Sequence, residues 1–209
     1  MRVVEVDILR GIAIVMMIIF HFGYDLYFLK IYEIAYTNYF WNTLRIGTVS
    51  LFLSLVGVSL YLAYHQGIDW VKFRRRTLFL GSVAGLISIA TMIAIPDGWI
   101  YFGIVHCILF STLIGVFFVR IPQVALGLGV FILVFYQFGY LQTEMFYEFI
   151  KPILGLPHRT QDLVNPLPWF GVVLIGIFVG SQKLFNLKLP INKITQGFAW
   201  QEDTLCGFI

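Results

Sequence analysis

Charge is the first thing this sequence is short of. Asp, Glu, Lys and Arg together make up 12% of the 209 residues, about half the share of an ordinary soluble domain. Hydrophobic residues account for 59%, with 21 Phe and 11 Tyr, and the mean hydropathy is +0.86. At this length, that balance excludes a water-soluble domain. Only two cysteines are present, Cys107 in an apolar run and Cys206 in a polar tail, so there is no disulfide framework and both are expected as free thiols. No internal repeat is visible, so the inverted-repeat signature of many secondary transporters is absent. The first apolar run is too long for a signal-peptide core and lacks a small-residue cleavage site, so it is expected to be retained as a helix.

What is present is a series of apolar runs. Crossing about 30 Å of hydrocarbon takes about 20 mainly apolar residues, and six stretches qualify or come close: 8–29, 44–64, 77–95, 99–119, 124–141 and 169–182. The expectation is an all-α polytopic membrane helix bundle of about six transmembrane helices, forming a single domain over 1–209. Basic residues orient it. With the N-terminus inside, Arg2, Arg10, Lys72, Arg74, Arg75, Arg76, Arg120, Lys183, Lys188 and Lys193 are cytoplasmic, and only Lys30, Arg45, Lys151 and Arg159 are outside. Both termini are therefore expected in the cytoplasm of a cell-membrane protein. The stretch 142–168 is the one sizeable extracytoplasmic loop. Met145, Phe146, Phe149, Ile150, Ile153 and Leu154 recur there at helical spacing, so 140–157 can also be read as a re-entrant or surface helix.

Ionisable groups are costly in a transmembrane helix and call for a reason. Asp7, Arg10, His21 and Asp25 all fall on the first span, and at 100° per residue they share an arc of about 60°. Such a stripe is expected to face a protein interior or a wet cavity. Asp7 and Arg10 are spaced for contact, as an ion pair or with Asp7 turning the guanidinium toward an anion from the cytoplasm. His21 and Asp25 form an i,i+4 pair in which a carboxylate can orient an imidazole for acid–base work. Counted from the predicted helix ends, His21 and His106 lie about 12 Å and about 10 Å deep on antiparallel spans, and are expected across one cavity. These residues could also supply zinc ligands, but no HxxxH or HExxH element exists and no metal is expected.

Three further features fill in the picture. The run Lys72-Phe73-Arg74-Arg75-Arg76 reads either as a topological anchor on anionic lipid or as a site for a phosphate-rich cofactor. It is a poor nucleic-acid patch, and no such partner is expected. Ser50, Ser54, Gly57 and Gly180 are small residues that would let helices approach closely. On the outer side, Arg45, Asp162 and Trp169 are candidate acceptor contacts, Trp169 following Asn165-Pro166-Leu167-Pro168 at the start of the last span.

Val6-Asp7-Ile8-Leu9-Arg10-Gly11-Ile12-Ala13, Phe20-His21-Phe22 and Asp25-Leu26 together resemble the opening of the heparan-alpha-glucosaminide N-acetyltransferase catalytic-domain family. Phe52-Leu53-Ser54-Leu55-Val56-Gly57, Arg74-Arg75-Arg76, Gly103-Ile104-Val105-His106-Cys107-Ile108 and Pro168-Trp169-Phe170-Gly171 resemble its later blocks. The resemblance implies a compact transmembrane acyltransferase that moves an acetyl group from cytoplasmic acetyl-CoA to a hydroxyl or amine of a sugar or glycoconjugate on the other face. It further implies that Arg10, Arg74, Arg75 and Arg76 meet the CoA phosphates and that His21, with Asp25 and His106, carries the chemistry. The lysosomal members have an asparagine where His21 aligns and a histidine slightly later, whereas 30–41 here contains none. A small-molecule or lipid transporter and a non-enzymatic membrane subunit are the alternatives. Lipids, the acceptor and a second copy of the chain are the expected partners.

Overall fold

A computed structural model describes residues 3–31, 38–141 and 164–182. Among them are six α-helices and no strand: α1 (Val4–Phe28), α2 (Tyr39–Tyr64), α3 (Trp70–Ala94), α4 (Ile104–Gly115), α5 (Pro122–Gln137) and α6 (Pro166–Ser181). The first three run 25, 26 and 25 residues, or about 38 Å each at 1.5 Å per residue, and are long and apolar enough to cross a membrane. The other three are shorter apolar helices, α4 being prolonged by a 3₁₀ turn, Val116–Phe118. Asp162 and the rest of 142–163 lie outside the described residues, as do Arg2, Cys206 and the lysines beyond 182.

Local chemistry explains where the helices start. Asn38 caps α2 by accepting the Phe40 N–H, so α2 begins five residues before the expected 44. Asp69 caps α3 through the Val71 and Lys72 amides, which draws Lys72 and the three arginines into the helix instead of a loop. These amides, with the Lys72 ammonium, hold the Asp69 carboxyl below its usual value. Proline occupies the first turn of α5 and α6, where its missing N–H is no loss. The largest departure is the fourth span. Pro96 stops α3 and opens a 3₁₀ turn, Pro96–Gly98, and the chain stays irregular until Ile104. The helix thus starts five residues later than the expected 99.

The bundle is built around α2 and α6, which make the most extensive contact; α5 lies on α6, α1 on α2, and α3 on α4. Gly57 and Gly176 face each other across the central contact. A Cβ on Gly57 would strike the Val173 carbonyl, one on Gly176 the Ser54 carbonyl, and one on Gly180 would lie 3.1 Å from the Val58 Cα. Gly129 and Gly171 repeat the device between α5 and α6. Two helices surrounded by lipid gain no hydrophobic drive from meeting, so close backbone approach supplies their attraction. Leu53, Leu60, Val173, Leu174 and Ile177 are fully shielded around it. The outward faces are apolar, with Ile18, Phe22, Phe79 and Leu86 all more than 60% exposed. Lipid, not water, is the solvent that suits such a surface, and the protein is a multi-pass membrane protein.

Gly57→Ala is expected to destabilise the bundle by about 1–3 kcal/mol, because the obstacle is a backbone carbonyl. Gly85→Ala, whose Cβ meets nothing within 4 Å, should be neutral or stabilising. Thermal unfolding of both variants in detergent micelles checks the pair; equal midpoints would reject the close-approach argument.

Candidate active site

The polar residues of α1 divide into two groups. Near the N-terminal end, Arg10 Nη1 donates to Asp7 Oδ1 at 3.0 Å and Nη2 donates to Ser59 Oγ of α2 at 2.6 Å. The guanidinium is therefore held across the α1–α2 contact while its side chain stays 46% exposed. Ser59 is buried and its own hydroxyl proton goes to the Leu55 carbonyl. Sequence reasoning missed Ser59, because one serine in an apolar helix carries no periodic or motif signal.

Toward the other end of α1, His21 and Asp25 are both exposed, and no hydrogen bond or ion pair joins them. Trp41 of α2 lies over Gly23, with its ring 6.5 Å from that of Phe20, and so fixes this end of α1 against the start of α2. Arg45, one turn further along α2, is exposed and donates to Asn42 Oδ1 at 3.3 Å. His21, Asp25 and Arg45 thus belong to one end of the α1–α2 pair. Trp169 is half-buried in the first turn of α6 and packs against the central core.

His106 is placed differently. It is the third residue of α4, and its Nδ1 accepts the Gly103 N–H at 3.3 Å, the backward half of a capping box. A neutral ring then carries its proton on Nε2, which donates to Ser88 Oγ at 3.1 Å, and the Ser88 hydroxyl donates to the Ile100 carbonyl at 2.7 Å. Thr91 Oγ1 accepts the Ile100 N–H, and Val164 N–H donates to the Phe102 carbonyl. Ser88 lies six residues before the end of α3, so this junction is about 9 Å inside that end. Irregular backbone at such a depth must find its partners in the protein, and Ser88, Thr91 and His106 provide them. Among the described residues α1 packs extensively only on α2, so helix packing does not make His21 and His106 neighbours.

The three arginines of α3 do not converge. Successive residues turn 100°: Arg74, itself exposed, lines an open groove of about 430 Å³ between α3 and α4, beside Trp70, Phe73, Leu78 and Leu113, Arg75 is exposed on another side, and Arg76 is half-buried. Cys107 is fully buried. No cluster of metal-binding side chains occurs among the described residues.

The sequence model described as "Heparan-alpha-glucosaminide N-acetyltransferase, catalytic" matches residues 2–201. No curated protein and no solved structure matches the chain.

The hydrogen bonds of His106 make a stability prediction. His106→Ala strips partners from Gly103 and Ser88 and should cost about 1–3 kcal/mol. His106→Gln, which can bond back to the Gly103 amide from the same helix position, should recover much of that loss. Denaturant or thermal unfolding compares the two; equal losses would show that the backward bond contributes nothing.

Proposed function

The chain belongs to the heparan-alpha-glucosaminide N-acetyltransferase catalytic family, and from that premise we propose that it passes an acetyl group through its own helix bundle from one membrane face to the other. It is an acetyl-CoA-dependent transmembrane acyltransferase, with acetyl-CoA as donor and a sugar or glycoconjugate hydroxyl or amine as acceptor. The observation that carries the reading of the site is the polar face of α1, which puts a fixed guanidinium at one end and an exposed imidazole toward the other. Arg10 and His21 are eleven residues apart, or about 16 Å along the helix. A donor whose phosphates rest at Arg10 must reach the chemistry with its extended thioester arm.

In the proposed orientation both termini are cytoplasmic and all six helices cross or enter the bilayer, supported by the ten-to-four distribution of basic residues. Arg10 and the arginines of α3 then lie on the acetyl-CoA side. Arg74 and Arg76 point in different directions, so Arg10 is the anchor and the α3 residues supply a surrounding positive field. At the far end the acceptor oxygen or nitrogen attacks the thioester carbonyl. The imidazole of His21 takes the acceptor's proton, the carbon–sulfur bond breaks, and CoA leaves as the thiolate, to be reprotonated. Asp25, one turn away on the same face, stabilises the imidazolium that forms. Arg45 and Trp169 frame the acceptor's approach, and His106 holds the inward-folded turn before α4 in shape.

His21→Ala should lower single-turnover transfer by about 10²–10⁴-fold at saturating acetyl-CoA while CoA still binds; Asp25→Asn should lower it less. Release of CoA thiol, followed with a panel of sugars and amines, measures both. Near-normal transfer by His21→Ala would remove it from the base role.

The orientation is checked separately. A cysteine introduced at Arg75 should react with an impermeant thiol reagent only from the cytoplasmic side, and one at Asn42 only from outside. The reverse pattern would invert the protein.

A further inference from the structure

We propose that Ser59 is a positioning residue for the acyl donor, acting by holding the Arg10 guanidinium open toward the phosphates. The inference rests on Arg10 being the donor's anchor. Its physical basis is the division of the guanidinium between two unlike acceptors: Nη1 to the Asp7 carboxylate at 3.0 Å, and Nη2 to the Ser59 hydroxyl oxygen at 2.6 Å.

The direction of the second bond is fixed. A hydroxyl has a single proton to give, and that of Ser59 is donated to the Leu55 carbonyl one turn back, at 2.6 Å. Its oxygen therefore presents only lone pairs to Arg10. Ser59 is 8% exposed and sits on α2, whose neighbouring positions Gly57 and Val58 are locked against α6, so the acceptor is rigid. Arg10 is anchored to the centre of the bundle through this bond, while its remaining N–H groups stay on the open side.

The two acceptors do different things to the charge. Carboxylates favour paired, fork-to-fork contact with a guanidinium, and an arginine turned wholly toward Asp7 would have its charge neutralised internally and both terminal nitrogens occupied. By taking one terminal nitrogen without contributing any negative charge, Ser59 opposes that closed pairing. A phosphate arriving from the cytoplasm then meets a guanidinium already oriented, and less freedom is lost on binding. With alanine at 59, Arg10 is expected to swing onto Asp7 and the donor to compete with the carboxylate.

The test uses the full-length protein in micelles. CoA affinity is measured by calorimetry, and acetyl transfer to glucosamine by thiol release, for Ser59→Ala, Ser59→Thr, Arg10→Gln and the Ser59→Ala/Arg10→Gln double variant. Ser59→Ala should weaken CoA binding and raise the KM for acetyl-CoA about three- to tenfold, the range expected from losing the net contribution of one ordinary hydrogen bond. Its kcat at saturating donor and its KM for glucosamine should be unchanged. Ser59→Thr keeps the hydroxyl and should restore donor binding. The double variant should be no worse than Arg10→Gln alone. Normal donor binding by Ser59→Ala beside impaired Arg10→Gln would overturn the role of Ser59 and leave the donor site standing. Normal binding by Arg10→Gln would overturn the donor site itself. A lowered melting point with equal rises in both KM values, not rescued by threonine, would reduce Ser59 to packing.

Discussion

The close contact of α2 with α6 is the constraint from which the rest of the arrangement follows. In a hydrocarbon solvent, lipid tails compete on equal terms for any apolar side chain, so helices are held by how near their backbones can come. Gly57 and Gly176 permit that approach by leaving no Cβ in the way of the facing carbonyls. Once α2 is locked to α6, the opposite side of α2 is a fixed wall for α1. Arg10 reaches Ser59 on that wall, and Trp41 closes over Gly23 at the far end. The polar face of α1 is therefore oriented by a contact that contains no charged residue.

A second constraint operates where the helices fail. Between Trp99 and Gly103 the chain forms no helix to satisfy its own backbone, and it lies level with the interior of α3. Three side chains that a hydropathy reading treats as minor blemishes, Ser88, Thr91 and His106, take up the Ile100 and Gly103 groups. A histidine at this position has both ring nitrogens engaged, one as acceptor and one as donor. That differs in kind from His21, which stands exposed on α1. Two residues that look equivalent as intramembrane histidines separate once their hydrogen bonds are followed, one holding backbone and one exposed on the surface of α1.

Composition and the length of the apolar runs made the membrane class legible from the sequence, and Gly57 and Gly180 were recognisable as close-contact residues because small residues in an apolar helix have few other uses. The family resemblance on Val6 to Ala13 and the later blocks agrees with the match over residues 2–201. The start of α4 was not legible. Trp99 to Phe102 is as apolar as any helix, and only tertiary hydrogen bonds show that it is irregular. The arginines of α3 fall outside the expected span 77–95 because a basic run looks like a boundary, whereas the Asp69 cap carries the helix through them. Ser59 and Gly176 stayed hidden for a simpler reason. Their importance lies in a partner 49 residues away in one case and more than a hundred in the other, and one sequence does not show which apolar helices meet.

The division of α1 into a cationic end and an imidazole end bears on how an acetyl group can cross a membrane without a moving carrier. A transporter of alternating access would have to expose one site to two sides in turn. In the proposed site, Arg10 and His21 are displaced by about 16 Å along one helix, and the reactive part of the donor is carried at the end of a long flexible arm. Arg10 can then hold the polar, multiply charged part of the donor in water while only the neutral thioester enters the bundle, which avoids the large cost of taking phosphate charge out of water. With the proposed base role for His21, the acceptor needs only to reach that end of α1, and the proton it loses would be taken there. A fixed scaffold suffices under that division of labour, and a scaffold zipped by backbone-to-backbone glycine contacts is suited to staying fixed.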